Sequence, residues 1–400
     1  MANGQLTGGS VLGGALLIAG TCIGAGMLAL PLSSAGTGPL TTLSVNVFCW
    51  LFMLATGLLF MEATLWMPDG TNVLSMSERF LGRWGKWLGG MAFLYLYYCL
   101  MVAYIAEGSN LFRLSVKGIT GFELSAVVGG GIFSLIFGGI LYLGTRAIDR
   151  VNWLLMSGLI LSFLLMIGVG SKEFDWSRFN GADGHLRAMA IPILFSALGY
   201  HNIVPTICTY LNRRVSALLW AIGVGTFIPL VIYTTWQMIV MGLIPSEKIM
   251  QALENGGSVS QLFQEASHTL WVSYFVMAFS LFAIVTSLLG VGMSIVDFLG
   301  DGLHIGKEQR VGVRRLGLVA LVMGPPMVIA YNNPALFLRA LEYAGGFGEA
   351  FLNGGLPVAL VWVGRYRLGL RSEYALPGGK SVLLLLAAIT VYVMVLTALS

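Results

Sequence analysis

Two apolar stretches at matching places in this chain are interrupted by glycine at the depth where a membrane helix should be continuous. The first reads Gly20-Thr21-Cys22-Ile23-Gly24-Ala25-Gly26 and runs on through Met27 to Pro31. The second reads Leu198-Gly199-Tyr200-His201-Asn202 and runs into Ile203, Val204 and Pro205. Glycine weakens a helix interior and proline removes a backbone donor, so neither stretch favours an unbroken helix. Broken backbone survives in a bilayer only where protein or a water-filled cavity satisfies its freed polar groups. Matched interruptions in two halves of a chain are the sequence mark of a carrier's central binding site. The same glycines would also serve close helix packing. The recurrence of the interruption weighs toward a site.

Composition sets the class. The chain of 400 residues is 57% hydrophobic and 10% charged, with mean hydropathy +0.84, whereas soluble domains are about a quarter charged. A spanning helix needs about 20 largely apolar residues. That test predicts eleven spans, at 9–36, 40–66, 87–112, 123–144, 149–171, 187–211, 216–243, 268–299, 311–331, 335–363 and 381–399. The first span lacks a basic leader and runs past signal-peptide length, so no cleavable signal is expected. Cys22, Cys49, Cys99 and Cys208 all fall within spans and read as small apolar residues rather than disulfide partners or metal ligands.

With the N-terminus inside, most of the 22 lysines and arginines fall in cytoplasmic loops, among them Arg79, Arg146, Arg213, Arg310 and Arg365. The bias predicts a cytoplasmic N-terminus and a periplasmic C-terminus. These charges are dispersed over five loops rather than clustered, so they do not read as a nucleic-acid or lipid patch. Two longer loops are expected outside, at 172–186 and 245–266. The second has room for a short surface helix that either gates a cavity or merely connects. The interrupted spans are the first and the sixth, five steps apart, and so cross in opposite directions. An inverted repeat of two five-helix units, 9–171 and 187–363, requires this, with 381–399 an added helix and the whole chain one domain.

Unwinding a helix in mid-membrane produces useful ends. Half-helices beginning near Met27 and Asn202 would offer unpaired N–H groups that suit a carboxylate. Those ending near Cys22 and Ala197 would offer carbonyls that suit an ammonium or small cation. A zwitterion fits both, so an amino acid is the economical solute. His201 lies inside the second interruption and either carries a proton or bonds freed carbonyls. Four acids also fall within spans. Glu62 lies near an inner end, Glu107 near an outer end, and Glu342 one turn from Arg339 in a prospective ion pair. Glu349 is deeper and unpartnered in sequence. Each is a candidate proton site because buried charge is expensive. The third span is rich in aromatics: Tyr97 and Tyr104 share one stripe, while Tyr95 and Tyr98 share another. Thr286 and Ser287 in the eighth span either coordinate a cation or bond back to their own helix.

The run from Gly20 to Pro31 resembles the first-helix signature of the hydroxy and aromatic amino acid permeases, within the amino acid/polyamine/organocation superfamily. The run Leu198 to Pro205 resembles that family's sixth-helix motif. Thr286-Ser287-Leu288-Leu289-Gly290, with Asp297-Phe298-Leu299 and Asp301-Gly302, is similar to its eighth helix. Glu62 in Leu59-Phe60-Met61-Glu62 agrees with the tyrosine-specific branch. The resemblance implies an all-α, leucine-transporter-like 5+5 fold with discontinuous first and sixth helices plus one added helix. It also implies proton-coupled import of an aromatic amino acid, tyrosine first, across the bacterial inner membrane. Carried over by position, Ile23, Gly24, Ala25 and Gly26 border the substrate from the first helix and Ser196, Gly199, Tyr200 and His201 from the sixth; Tyr98 of the aromatic third span is a further candidate. Coupling falls to His201, Glu62 or Glu349, or to sodium at Thr286 and Ser287. A fifth-helix lysine that replaces sodium in some relatives has no counterpart in 149–171. The family often has phenylalanine and then glycine around the histidine, where this chain has Tyr200 and Asn202. The competing expectations are a tryptophan or serine/threonine permease, a channel, which lacks a filter motif here, and an intramembrane enzyme, which lacks a nucleophile or metal pair beside His201.

Overall fold

The computed structural model describes residues 9–179, 187–255, 257–266, 270–333 and 336–400. Positions 180–186 of the predicted outer loop, position 256 of the second loop, the first two residues of predicted span 268–299 and the first of 335–363 lie outside the described residues. The described chain is almost wholly helical, because a backbone in hydrocarbon must satisfy its polar groups within its own segment.

The first span is broken into α1 (Val11–Cys22), a 3₁₀ turn (Ala25–Ala29) and α2 (Leu30–Ser33), bent by 49°. Ser10 caps α1 by accepting the Gly13 N–H at 2.9 Å. Then follow α3 (Pro39–Leu65), α4 (Val73–Thr120), α5 (Ala126–Leu143) and α6 (Thr145–Gly170). The sixth span is α7 (Ala190–Ala197), a 3₁₀ turn (His201–Ile203) and α8 (Val204–Tyr210), with Pro205 in the first turn of α8, where a missing N–H costs nothing. The seventh is α9 (Val215–Leu243), and the outer loop holds α10 (Ser246–Glu254) and α11 (Val259–Ala266). The chain closes with α12 (Leu270–Gly302), α13 (Gly312–Asn332), the tenth span, and α16 (Gly379–Leu399). The tenth span is α14 (Phe337–Tyr343), a π-helix (Ala344–Gly355) and α15 (Leu356–Tyr366).

Among the described residues, ten helices are long and apolar enough to cross a membrane, and the bent first span makes eleven. The expected boundaries lie within several residues of these except in the third span. There α4 runs well past 87–112 at both ends. Gly82, at φ 72°, turns the surface segment before it into the spanning part. That left-handed backbone is open to glycine and strained for other residues.

The helices sort into two packed groups. α1, α3, α7, α8 and α9 pack on one another, and α4, α5, α6, α12 and α13 do likewise. Both interruptions belong to the first group. The tenth span touches both groups through α7, α3 and α4, and α16 packs on its π-helix.

Candidate functional site

The half-helices α1 and α7 end at Cys22 and Ala197, and their terminal carbonyls meet at one side chain. The Tyr233 hydroxyl on α9 lies 2.5 Å from Cys22 O and 2.9 Å from Ala197 O. Ile23 and Gly24 are extended, and the Ala25 N–H then donates to Ser287 Oγ on α12 at 3.0 Å. Trp236 Nε1 donates to Met27 O at 2.9 Å. Gln237 Nε2 donates to Ser34 Oγ at 2.6 Å, while its oxygen accepts from Asn46 Nδ2 at 2.6 Å. The broken backbone of the first span is therefore satisfied chiefly by polar side chains of α9. The two interruptions also approach closely: a Cβ on Gly26 would stand 3.0 Å from Ala197 Cα.

A cavity of about 500 Å³ lies between the two helix groups, at the interruptions. Ile23, Gly24, Ala25 and Gly26 line it from the first span, and Ser196, Gly199, Asn202 and Ile203 from the sixth. α4 contributes Phe93, Tyr97 and Tyr104, and α12 contributes Thr286 and Ser287. Glu349 and Asn353 close one wall from the π-helix. Toward the end of the bundle that carries the N-terminus the lining continues with Leu16, Leu17, Asn152 and Ser294. None of it comes from α2, α10 or α11, so the cavity reaches from mid-depth toward one end only.

The polar groups at the wall fall into engaged and free. Asn202 Nδ2 donates to the Tyr97 hydroxyl at 3.2 Å. Thr286 Oγ1 bonds back to Phe282 O and Ala283 O, each at 3.0 Å. Ser196 Oγ has no hydrogen-bond partner among the described residues. Glu349, 6% exposed, accepts from Asn353 Nδ2. A Cβ on Gly199 would stand 2.5 Å from its carboxylate oxygen, so only glycine permits this approach.

Residues 7–397 match the tryptophan/tyrosine permease family. The chain belongs to that family. It is 31% identical over 387 residues to tyrosine-specific transport system 1 of Haemophilus influenzae, covering 96% of this chain and 95% of the relative. The tryptophan-specific transport protein of the same organism is 31% identical over 351 residues, 84% of this chain and 83% of the relative. The low affinity tryptophan permease of Escherichia coli is 26% identical over 347 residues, with 84% and 83% covered. The chain is a multi-pass membrane permease and not an enzyme.

Several residues singled out in the permease's sequence stand away from the cavity. Tyr98 lies off its lining and donates to Leu321 O on α13 at 2.8 Å, so the third span presents the stripe of Tyr97 and Tyr104 instead. Tyr200 is fully buried against α3, its hydroxyl 3.2 Å from Met53 O. His201 is likewise buried, with Nε2 2.9 Å from Thr56 Oγ1 on α3 and Nδ1 unbonded among the described residues. Tyr200, at φ −146° and ψ −2°, lies outside the helical region, and neither ring lines the cavity. Glu62 is held by Arg365 through bonds of 2.6 and 2.5 Å and accepts the Leu376 N–H at 3.2 Å. Glu342 pairs with Arg339 at 2.9 Å. Glu107 accepts from Ser260 of α11 at 3.2 Å. Sequence reasoning missed Tyr233, Trp236 and Gln237. Their signal was polar capacity within a 29-residue apolar helix, which needs partners at membrane depth.

Proposed function

We propose that this permease imports an aromatic amino acid, tyrosine first, by proton symport and alternating access across a bacterial inner membrane. The carrying observation is that both interrupted spans meet at one cavity walled by Phe93, Tyr97 and Tyr104. Its volume of about 500 Å³ falls within the roughly 300–1,000 Å³ of small-molecule sites. Cys22, Gly24, Gly26 and Gly199 bring non-helical or helix-end backbone to the cavity wall, where an amino acid's charged groups would bond. The aromatic wall suits a flat ring. Asn202, the Tyr97 hydroxyl and Asn353 together donate and accept, which matches a phenolic hydroxyl that does both. Tyrosine also comes first because two relatives named for tyrosine transport match at 31% over 96% of this chain.

A proton is favoured over sodium because the cavity wall carries a carboxyl, Glu349, that pairs with no cation among the described residues. The fold reading is two inverted five-helix units, leucine-transporter-like, with α16 added. The internally packed group that holds both interruptions would tilt against the continuous group, turning the cavity from one side to the other. With the N-terminus cytoplasmic, the cavity's one-sided reach makes this the inward-facing arrangement.

The test is uptake of labelled tyrosine into proteoliposomes with an alkaline interior and no sodium. Accumulation that a protonophore collapses is expected, with unlabelled tyrosine the strongest competitor. Stronger competition by tryptophan would reassign the substrate. Uptake that requires sodium would overturn the coupling ion, and no uptake of any aromatic amino acid would overturn the reading.

A further inference from the structure

Among the acids at membrane depth, Glu349 differs from the rest by having a cavity on one side and no cation on the other. Glu62 is ion-paired with Arg365 and Glu342 with Arg339, while Glu107 is tied to the outer loop through Ser260. Among the described residues, no salt bridge includes Glu349. Its hydrogen-bond partner is the neutral amide of Asn353, one helical turn on. The titratable groups facing it from the packed elements are Cys22 of α1 and Tyr97 and Tyr104 of α4. All three are neutral at ordinary pH. A carboxylate in that setting gains no counter-charge from the described residues, and the cavity beside it gives water and protons access.

Its position also links the charge to the moving part. The carboxylate lies against Gly199, in the interruption of the sixth span, where a Cβ would stand 2.5 Å from one of its oxygens. It is carried by a π-helix rich in glycine, whose backbone presses on α7: a Cβ on Gly345 would overlap the Pro192 carbonyl. π-Helical turns are wider than α turns and recur at functional sites. Neutral and hydrogen-bonded to Asn353, the acid can pack dry against Gly199. Ionised, it demands water or a cation in the same space and pushes against that packing.

We propose that Glu349 binds the proton that drives transport, and that its contact with Gly199 passes its charge state to the interruption of the sixth span. One carboxylate oxygen takes one proton on the substrate-loading side, and the same proton leaves to the other side after the substrate does. Asn353 is a positioning residue in this scheme. The inference rests on the proton-symport reading, and wild-type accumulation tests that reading separately.

The experiment uses the full chain in proteoliposomes with labelled tyrosine, an imposed pH gradient and a trapped pH dye. If the wild type shows no protonophore-sensitive accumulation, the symport reading itself fails. If it does, Glu349→Gln should lose gradient-driven accumulation and tyrosine-linked proton entry, while tyrosine counterflow at saturating substrate persists. Glu349→Asp should keep driven uptake with a shifted pH profile. Protonophore-sensitive accumulation in Glu349→Gln overturns the proposal. So does a monodisperse Glu349→Gln that no longer binds tyrosine, because the carboxylate then pairs with the substrate's ammonium. Should Glu349→Gln not fold, Glu349→Asp decides: a pH profile identical to wild type overturns the assignment, and a displaced one supports it.

Discussion

The two helix groups are braced in different ways, and the seam between them is braced least. The group that carries both interruptions is cross-linked inside by Tyr233 to Cys22 and Ala197, Trp236 to Met27, Gln237 to Ser34 and Asn46, and Arg213 to Asp69. The continuous group has fewer demands, since unbroken helices satisfy themselves. Its main brace is Arg310, 3% exposed, which grips Asp297 and Asp301 at the end of α12. Between the groups at mid-depth run single neutral hydrogen bonds, Ala25 to Ser287 and Asn202 to Tyr97. Each neutral bond contributes about 0.5–1.5 kcal/mol net. That is the scale of the few kcal/mol separating two conformations in exchange. Breaking a buried ion pair costs about 3–5 kcal/mol. Interruption thus calls for internal bracing, and the seam is left with the weaker bonds.

The contrast can be broken most severely at Arg365, which ties the tenth span to α3. Arg365→Met leaves Glu62 buried and unpaired, at an expected cost of about 3–5 kcal/mol. Thermal melting in detergent should show it, with partial recovery in the Glu62→Gln/Arg365→Met double variant. A single variant that melts like wild type would erase the difference between brace and seam. Next in size is Tyr233→Phe, which leaves the two carbonyl ends without their shared donor. A loss of about 1–3 kcal/mol is expected, read as a lower melting temperature together with slower uptake. Gly24→Val works on the seam itself, since its side chain would collide with Ser287 Oγ. Substrate binding by calorimetry should be lost while the fold, judged by circular dichroism, remains; unchanged binding would remove Gly24 from the site. The smallest effect is expected of Ser287→Ala, which deletes one seam bond. It should move conformer populations about two- to tenfold, seen as altered distance distributions between spin labels on α9 and α13, with little change in melting.

Much of this was legible in the sequence because bilayer physics is written in composition and periodicity. The run of apolar windows located the spans, and glycine with proline located both interruptions to within a residue of Cys22 and Ala197. The stripe shared by Tyr97 and Tyr104 was visible too, but not which stripe faces inward, since that depends on how α4 packs against its neighbours. The ring directions of Tyr200 and His201 were not legible, because local backbone at an interruption obeys no period. Nor was the pairing of Glu62 with Arg365, which lie 303 positions apart. Arg339 and Glu342, three residues apart, were found because they share a helical turn.

Tyr233 has one phenolic hydrogen and two carbonyls within its reach. Whichever of Cys22 O and Ala197 O receives it, the other is left with the weaker half of a divided bond. One hydroxyl hydrogen thus serves two carbonyls at the place where two half-helices end. An ammonium group brings three. Bonded to the carbonyl of Cys22, which lines the cavity, it would free the phenol for Ala197 O, and one hydrogen would carry the change from one broken span to the other.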